Sequence, residues 1–224
     1  MPDIGPNGKD EAGYSSIVIS HGAGVKQYVQ LTNEGLVSVS ADGKFLWGYN
    51  KIANRVANIP TPLVNGDYVF CSTGYNTGAA LLKLVPAENG VGVEEVHFVD
   101  PKSFQNTHGG FVWVGDYIYG GQGHNQGKPT CLDVRTGKVM WQQDQPGEGS
   151  ANVLYADGNL IFRYQDDLIV LIEANPQKFV IKGTFKLPKR EGATKEGWAY
   201  PVISDGRLYL RHADVLMVYD FKAQ

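Results

Sequence analysis

At 224 residues the chain is long enough for one all-β domain with a sizeable core. Hydrophobic residues make up 42% and charged residues 19%, an ordinary globular balance that excludes disorder as the default state. The formal net charge is −3, and the densest basic stretch, 186–195, also holds Pro188 and Glu191 and reads as a solvated loop, so no nucleic-acid partner is expected.

Cys71 and Cys131 are the two cysteines, and they lie in different parts of the sequence with no Cys-x-x-Cys spacing. They predict buried thiols and not a disulfide framework. No apolar run approaches the roughly 18 to 20 residues of a membrane span. The first eight residues, Met1 to Gly8, lack the charged and apolar regions of a signal peptide.

In chain order, one pattern repeats. An apolar segment leads through a Gly/Asp or Gly/Asn turn into an aromatic-rich apolar segment. Ile59 to Val64 passes through Asn65-Gly66-Asp67 into Tyr68-Val69-Phe70, and Gly110 to Val114 passes through Gly115-Asp116 into Tyr117-Ile118-Tyr119. Asn152 to Ala156 passes through Asp157-Gly158 into Asn159 to Phe162, and Tyr200 to Ser204 passes through Asp205-Gly206 into Arg207 to Leu210. Such dipeptides supply the positive-φ positions of tight hairpins, and the alternating residues around them are half-buried strands. The turn recurs with a period of about 40 to 50 residues, the range of four-stranded propeller blades.

Each unit has a second half. Its fullest copy is Cys131-Leu132-Asp133-Val134-Arg135-Thr136-Gly137-Lys138-Val139-Met140-Trp141. It predicts a strand, a turn in which Asp133 bonds its own backbone and Gly137 takes the left-handed position, and an outer strand ending in Trp141. A shorter copy runs from Leu36 to Trp47; strands at 80–84 with 95–98 and at 168–172 with 181–185 lack the tryptophan. Units start near 13, 58, 108, 149 and 198, the last running out after a third strand, and residues 1–12 read as a linker or the remnant of a preceding blade. The expected fold is all-β, a propeller of about four and a half blades.

The repeat at 131–141, with Asp133, Thr136, Gly137 and Trp141, and the Thr-Pro-x-Val-x-Gly-Asp-x-Val-Phe pattern at 61–70 resemble the tryptophan-docking repeats of quinoprotein-type, or PQQ-like, β-propellers; Trp47 is the corresponding residue of the shorter copy. Tyr14 to Val18, Val25 to Thr32, Ile59 to Pro62 and the pair Gly74-Tyr75 with Ala80 to Leu84 are similar to PQQ-like repeat proteins of planctomycete type. A more distant resemblance is to the propeller lipoprotein of the outer-membrane β-barrel assembly machinery. The resemblance covers about residues 13 to 220. It implies a periplasmic or secreted protein and a ring of about seven or eight blades, so the chain is expected to be a piece of a longer propeller. A compact five-bladed ring is the alternative.

In such a propeller the residues that open each inner strand cluster at one mouth of the central channel. Here these are Tyr14, Asn58, Thr61, His108, Ser150 with Asn152, Trp198 and Tyr200. They are polar and aromatic, as suits a small ligand or a peptide, and equally a water-filled lining with structural hydrogen bonds. His108, in Thr-His-Gly-Gly, could act as a base or a ligand, but no second histidine falls at a matching position, so no metal site is expected. Quinoprotein dehydrogenases carry a vicinal cysteine pair, a calcium ion and a catalytic aspartate. This sequence has no adjacent cysteines, and its carboxylates fall mostly in turns. No catalytic residue is therefore assigned and no cofactor expected, PQQ with calcium entering only if the chain is a dehydrogenase after all. The expected role is a binding or scaffold module for protein, peptide or glycan through its loop faces, with self-association through unpaired blade edges; an alcohol or sugar dehydrogenase and an outer-membrane assembly factor are the alternatives.

Overall fold

The computed structural model describes residues 13–188 and 197–221. The expected linker at 1–12 and most of the basic stretch lie outside the described residues. Apart from one short 3-10 turn at Gly22–Gly24, the regular structure described is entirely β. The chain divides into two compact units, Met1–Thr107 and His108–Gln224.

The first unit holds two four-stranded antiparallel sheets. One is β1 (Val18–Ser20), β2 (Gln27–Leu31), β3 (Leu36–Ser40) and β4 (Phe45–Tyr49); the other is β5 (Leu63–Asn65), β6 (Tyr68–Thr73), β7 (Gly78–Ala87) and β8 (Gly90–Val99). The second unit holds β9 (Phe111–Val114), β10 (Tyr117–Gln122), β11 (Lys128–Asp133) and β12 (Val139–Gln142), then β13 (Ala151–Ala156), β14 (Asn159–Tyr164), β15 (Leu168–Glu173) and β16 (Ile181–Lys186), and finally a three-stranded sheet of β17 (Val202–Ser204), β18 (Arg207–His212) and β19 (Val215–Asp220). In all five sheets every strand pairs with its neighbour in sequence, the meander of a propeller blade.

The turns account for the tightness of the inner hairpins. Asp157-Gly158 and Asp205-Gly206 place both central residues at positive φ (46° and 74°, 52° and 72°), the arrangement that matches strand twist. Two segments differ from the sequence expectation. The β7–β8 hairpin is longer than 80–84 with 95–98, because pairing continues outward through Pro86↔Val91 to Ala87↔Gly90. The glycine-rich run Gly120-Gly121-Gln122-Gly123 predicts a hairpin loop after a strand, but its first three residues belong to β10, where a Cβ on Gly121 would meet the Gly127 Cα at 3.0 Å. The glycine there serves close backbone approach.

Alternation then stacks sheet on sheet. In the first unit Val29, Leu31 and Trp47 of the first blade and Val69, Cys71, Leu82 and Leu84 of the second form one buried cluster. In the second unit, β14 shares its side chains between two cores. Leu160, Phe162 and Tyr164 pack with Tyr119, Cys131 and Trp141 of the preceding blade, while Ile161, on the opposite face, packs with Leu208 and Leu210 of the following one. Each such fully buried aliphatic or aromatic side chain contributes about 1.5–3 kcal/mol.

Two of the sequence-level landmarks have clear structural roles. Asp133 Oδ1 accepts from the Thr136 N–H (2.8 Å) and the Thr136 hydroxyl (2.9 Å), and Gly137 sits at φ 70°. Burial raises the Asp133 carboxyl, but the bonds from Thr136 and the presence of Arg135 outweigh it and hold the group below its ordinary value. Trp141 Nε1 donates to the Asn175 carbonyl in the next blade (2.8 Å), and its ring packs against Tyr119 and edge-on to Phe179. Trp47 differs: its Nε1 donates to Gln27 Oε1 within its own sheet (2.6 Å), and Ser38 donates to the same oxygen.

Candidate functional site

The residues expected at the strand openings fall in both units. In the first unit, the ring of Tyr14 is 76% exposed, and its N–H donates to the Asn58 carbonyl at 2.9 Å. Asn58 itself is fully buried. Its Oδ1 accepts from the Asn54 N–H, Asn54 Nδ2 and Thr73 Oγ1, and its Nδ2 donates to the carbonyls of Asn33 and Asn54. This side chain has spent its hydrogen-bonding capacity on closing the loop before β5. Thr61 Oγ1 accepts from the Ser16 N–H at 3.0 Å. Asn58 and Thr61 therefore act as loop fasteners, leaving Tyr14 as the open group of the three.

The second unit gathers the rest around one segment, residues 197–200. His108 and Trp198 stack with ring centroids 4.8 Å apart and planes 18° from parallel. Trp198 is nevertheless 47% exposed and Tyr200 52% exposed, so both present aromatic surface to solvent. Tyr200 lies over Gly110, where a Cβ would come within 2.7 Å of the phenol oxygen. Gly109 is as constrained: at φ 88°, a Cβ would strike the Ala151 carbonyl at 1.9 Å. The two glycines of Thr-His-Gly-Gly thus let the strand opening press against its neighbours while His108 reaches Trp198. Ser150 is buried, with a long contact of 3.4 Å to Asn125 Oδ1.

The shelf is held from below. Asn152 Nδ2 donates to the carbonyls of Trp198 (2.9 Å) and Ala199 (3.0 Å), and Arg163 Nη1 donates to the Ala199 carbonyl (2.9 Å). Arg163 is fully buried, and its Nε has no partner among the described residues. Its Nη2 reaches Asp167 Oδ1 at 3.4 Å, and His212 Nδ1 lies 2.7 Å from Asp167 Oδ2. Burial lowers the Arg163 guanidinium from its ordinary value, and Asp167 works against that shift. Sequence reading missed Arg163, Asp167 and His212. The available signal was a charge at an alternating position of the otherwise apolar run Leu160-Ile161-Phe162-Arg163-Tyr164.

Other chemistry is sparse. Cys71 and Cys131 are free and buried; burial pushes the Cys71 thiol up strongly and raises Cys131 to about 12. Neither is a nucleophile at neutral pH. Among the described residues no group of three or more His, Cys, Asp and Glu side chains is placed to hold a metal ion. Among the described residues, the two cysteines sit buried in separate units and no carboxylate cluster offers calcium its oxygens, so these residues do not fit a quinone–calcium centre. A crevice of about 210 Å³ in the second unit, lined by Ile161, Ile169, Leu171, Phe185 and Phe221 among others, is almost wholly apolar. No helix among the described residues is long and apolar enough to cross a membrane.

Meandering four-stranded sheets stacked face to face, with the repeat at 131–141, define a PQQ-like β-propeller protein. A family model described as outer membrane protein assembly factor BamB matches residues 7–143, and the chain belongs to that family. The fold is similar to BamB from Moraxella catarrhalis (TM-score 0.66, 12% identity, covering 92% of this chain and 58% of that one). It is also similar to a europium-containing methanol dehydrogenase (TM-score 0.61, 13% identity, covering 88% and 51%). A third likeness is to the Cps50 (Swd1) β-propeller domain of Myceliophteria thermophila (TM-score 0.62, 11% identity, covering 91% and 68%). The chain thus spans little more than half the length of the BamB and methanol dehydrogenase chains. No curated protein matches it by sequence.

Proposed function

We propose that the chain is a non-catalytic binding module that holds a polypeptide partner on the His108–Trp198–Tyr200 shelf, in the service of outer-membrane protein assembly. The observation that carries this reading is the shelf itself. Trp198 is stacked on one side, open on the other, and pinned through its backbone by Asn152. A rigid, half-exposed aromatic is a low-entropy anchor for a partner's apolar side chain. Membership of the BamB family supports the assembly role. The same reading has the protein working in the periplasm or outside the cell, without a cofactor.

A dye-labelled peptide copied from an alternating, apolar outer-membrane β-strand tests it by fluorescence anisotropy. Wild type is expected to bind saturably, and Trp198→Ala to weaken binding about 30-fold, the effect of a 2 kcal/mol hot spot. Equal binding by the variant, or no binding by either protein, would overturn the reading. Binding to glycans alone would replace the polypeptide with a sugar on the same shelf. Dye reduction on adding PQQ and Ca²⁺ would establish the dehydrogenase instead.

A further inference from the structure

The four-stranded sheets share one register mark. In each, the third and fourth strands slip at a bulge, and the pair just before the slip is Ser38↔Trp47, Leu81↔His97, Cys131↔Trp141 or Leu171↔Gly183. The first three blades thus place a ring at this position, and the fourth places glycine. The bulge does not call for glycine, since the three rings sit beside the same bulge. Nor does the backbone: Gly183 lies outside the left-handed region, and a Cβ on it would meet no heavy atom within 4 Å. A strand glycine with neither reason marks a place that another group approaches closely.

What lies over Gly183 is the apolar crevice of about 210 Å³, whose other walls include Ile161, Ile169, Leu171, Phe185 and Phe221. The third blade shows the same place filled. Its row Tyr119↔Cys131↔Trp141 corresponds to Ile161↔Leu171↔Gly183 in the fourth, and both rows face the following blade. There Trp141 is buried, with Tyr119 on one side and Phe179 on the other. The far wall corresponds too, because Phe221 donates its N–H to the Gly206 carbonyl as Ala174 does to that of Gly158. Ala174 and Phe179 wall the Trp141 ring and do not take its place. An apolar cavity of about 150 Å³ already takes up benzene, so this larger one admits the fused rings of an indole.

We propose that the crevice over Gly183 is a socket for a tryptophan side chain of a partner polypeptide, inserted where the third blade inserts its own. The ring enters across the outer strand β16, which is exposed from Ile181 to Thr184. The groups that occupy the matching position in the other blades are side chains, two of them tryptophans, which assigns the ring to a polypeptide and not to a free aromatic. Docking removes the indole from water onto walls that are already shaped. The socket follows from the residue at 183 and its register, and it stands apart from the aromatic shelf at 197–200.

Amide chemical-shift mapping of the full chain with an end-capped Gly-Gly-Trp-Gly-Gly peptide tests it. Wild type is expected to show saturable shifts at Leu171 and residues 183–185, kept by Gly183→Ala and lost in Gly183→Trp, whose own ring fills the socket. Gly183→Trp is also expected to unfold at a higher urea concentration than Gly183→Ala, a comparison that separates filling the socket from removing a strand glycine. No saturable shift in wild type, undiminished shifts in Gly183→Trp, a midpoint no higher than that of Gly183→Ala, or shifts confined to His108 and residues 197–200 each overturn the proposal. So does binding of free indole without binding of the peptide, which leaves a cavity for a small aromatic and no polypeptide partner. Should Gly183→Trp fail to give the wild-type far-ultraviolet spectrum, Gly183→Phe makes the same comparison.

Discussion

Replacing Asp167 by Asn is expected to destabilise the second unit by about 3–5 kcal/mol, the usual effect of taking one partner from a buried ion pair. Asn tolerates the left-handed backbone at this position (φ 65°), so the change isolates the charge. What it leaves behind is a fully buried guanidinium without a carboxylate beside it, bonded to the Ala199 carbonyl and with no partner for its Nε among the described residues. It also weakens the acceptor that faces His212. Urea unfolding checks the magnitude. The double variant Arg163→Met, Asp167→Asn should recover much of the loss, because an apolar side chain of similar reach is better tolerated there than an unpaired cation. A loss under about 1 kcal/mol for the single variant would mean that water reaches Arg163 and that the pair is a surface contact in effect.

Trp141→Ala is the second large effect, about 3–5 kcal/mol. The indole bridges two blades: the ring fills space between Tyr119 and Phe179, and the N–H satisfies the Asn175 carbonyl in the β15–β16 turn. Trp141→Phe keeps most of the ring and loses the hydrogen bond, and should lose about 1 kcal/mol. Thermal or urea melts of the three proteins separate the two contributions. Near-equal stability of the alanine variant and wild type would show that the blades hold together without this wedge.

The repeat was legible in the sequence because hairpins are local. Asp157-Gly158 and Asp205-Gly206 specify their turns within two residues, and Asp133, Thr136 and Gly137 complete theirs within five. Strand faces were legible too, since alternation sorts Leu160 and Phe162 from Ile161. Partners distant in sequence were not. Nothing near Arg163 announces that His212, 49 positions later, shares its carboxylate, and nothing near Asn58 announces that Asn54 and Thr73 saturate it. The strand-opening rule therefore grouped Asn58 with Trp198, although one is fully buried and the other half-exposed. Position along a strand tells where a side chain starts, and only packing tells whether it is free to bind.

In the proposed role the polypeptide partner lies on the aromatic shelf of the second unit. Amide chemical-shift mapping with the outer-membrane strand peptide locates the bound partner. The predicted result is a saturable set of shifts centred on His108, Gly109, Gly110 and residues 197–200. Shifts confined to residues outside this shelf, or none at saturating peptide, would contradict it.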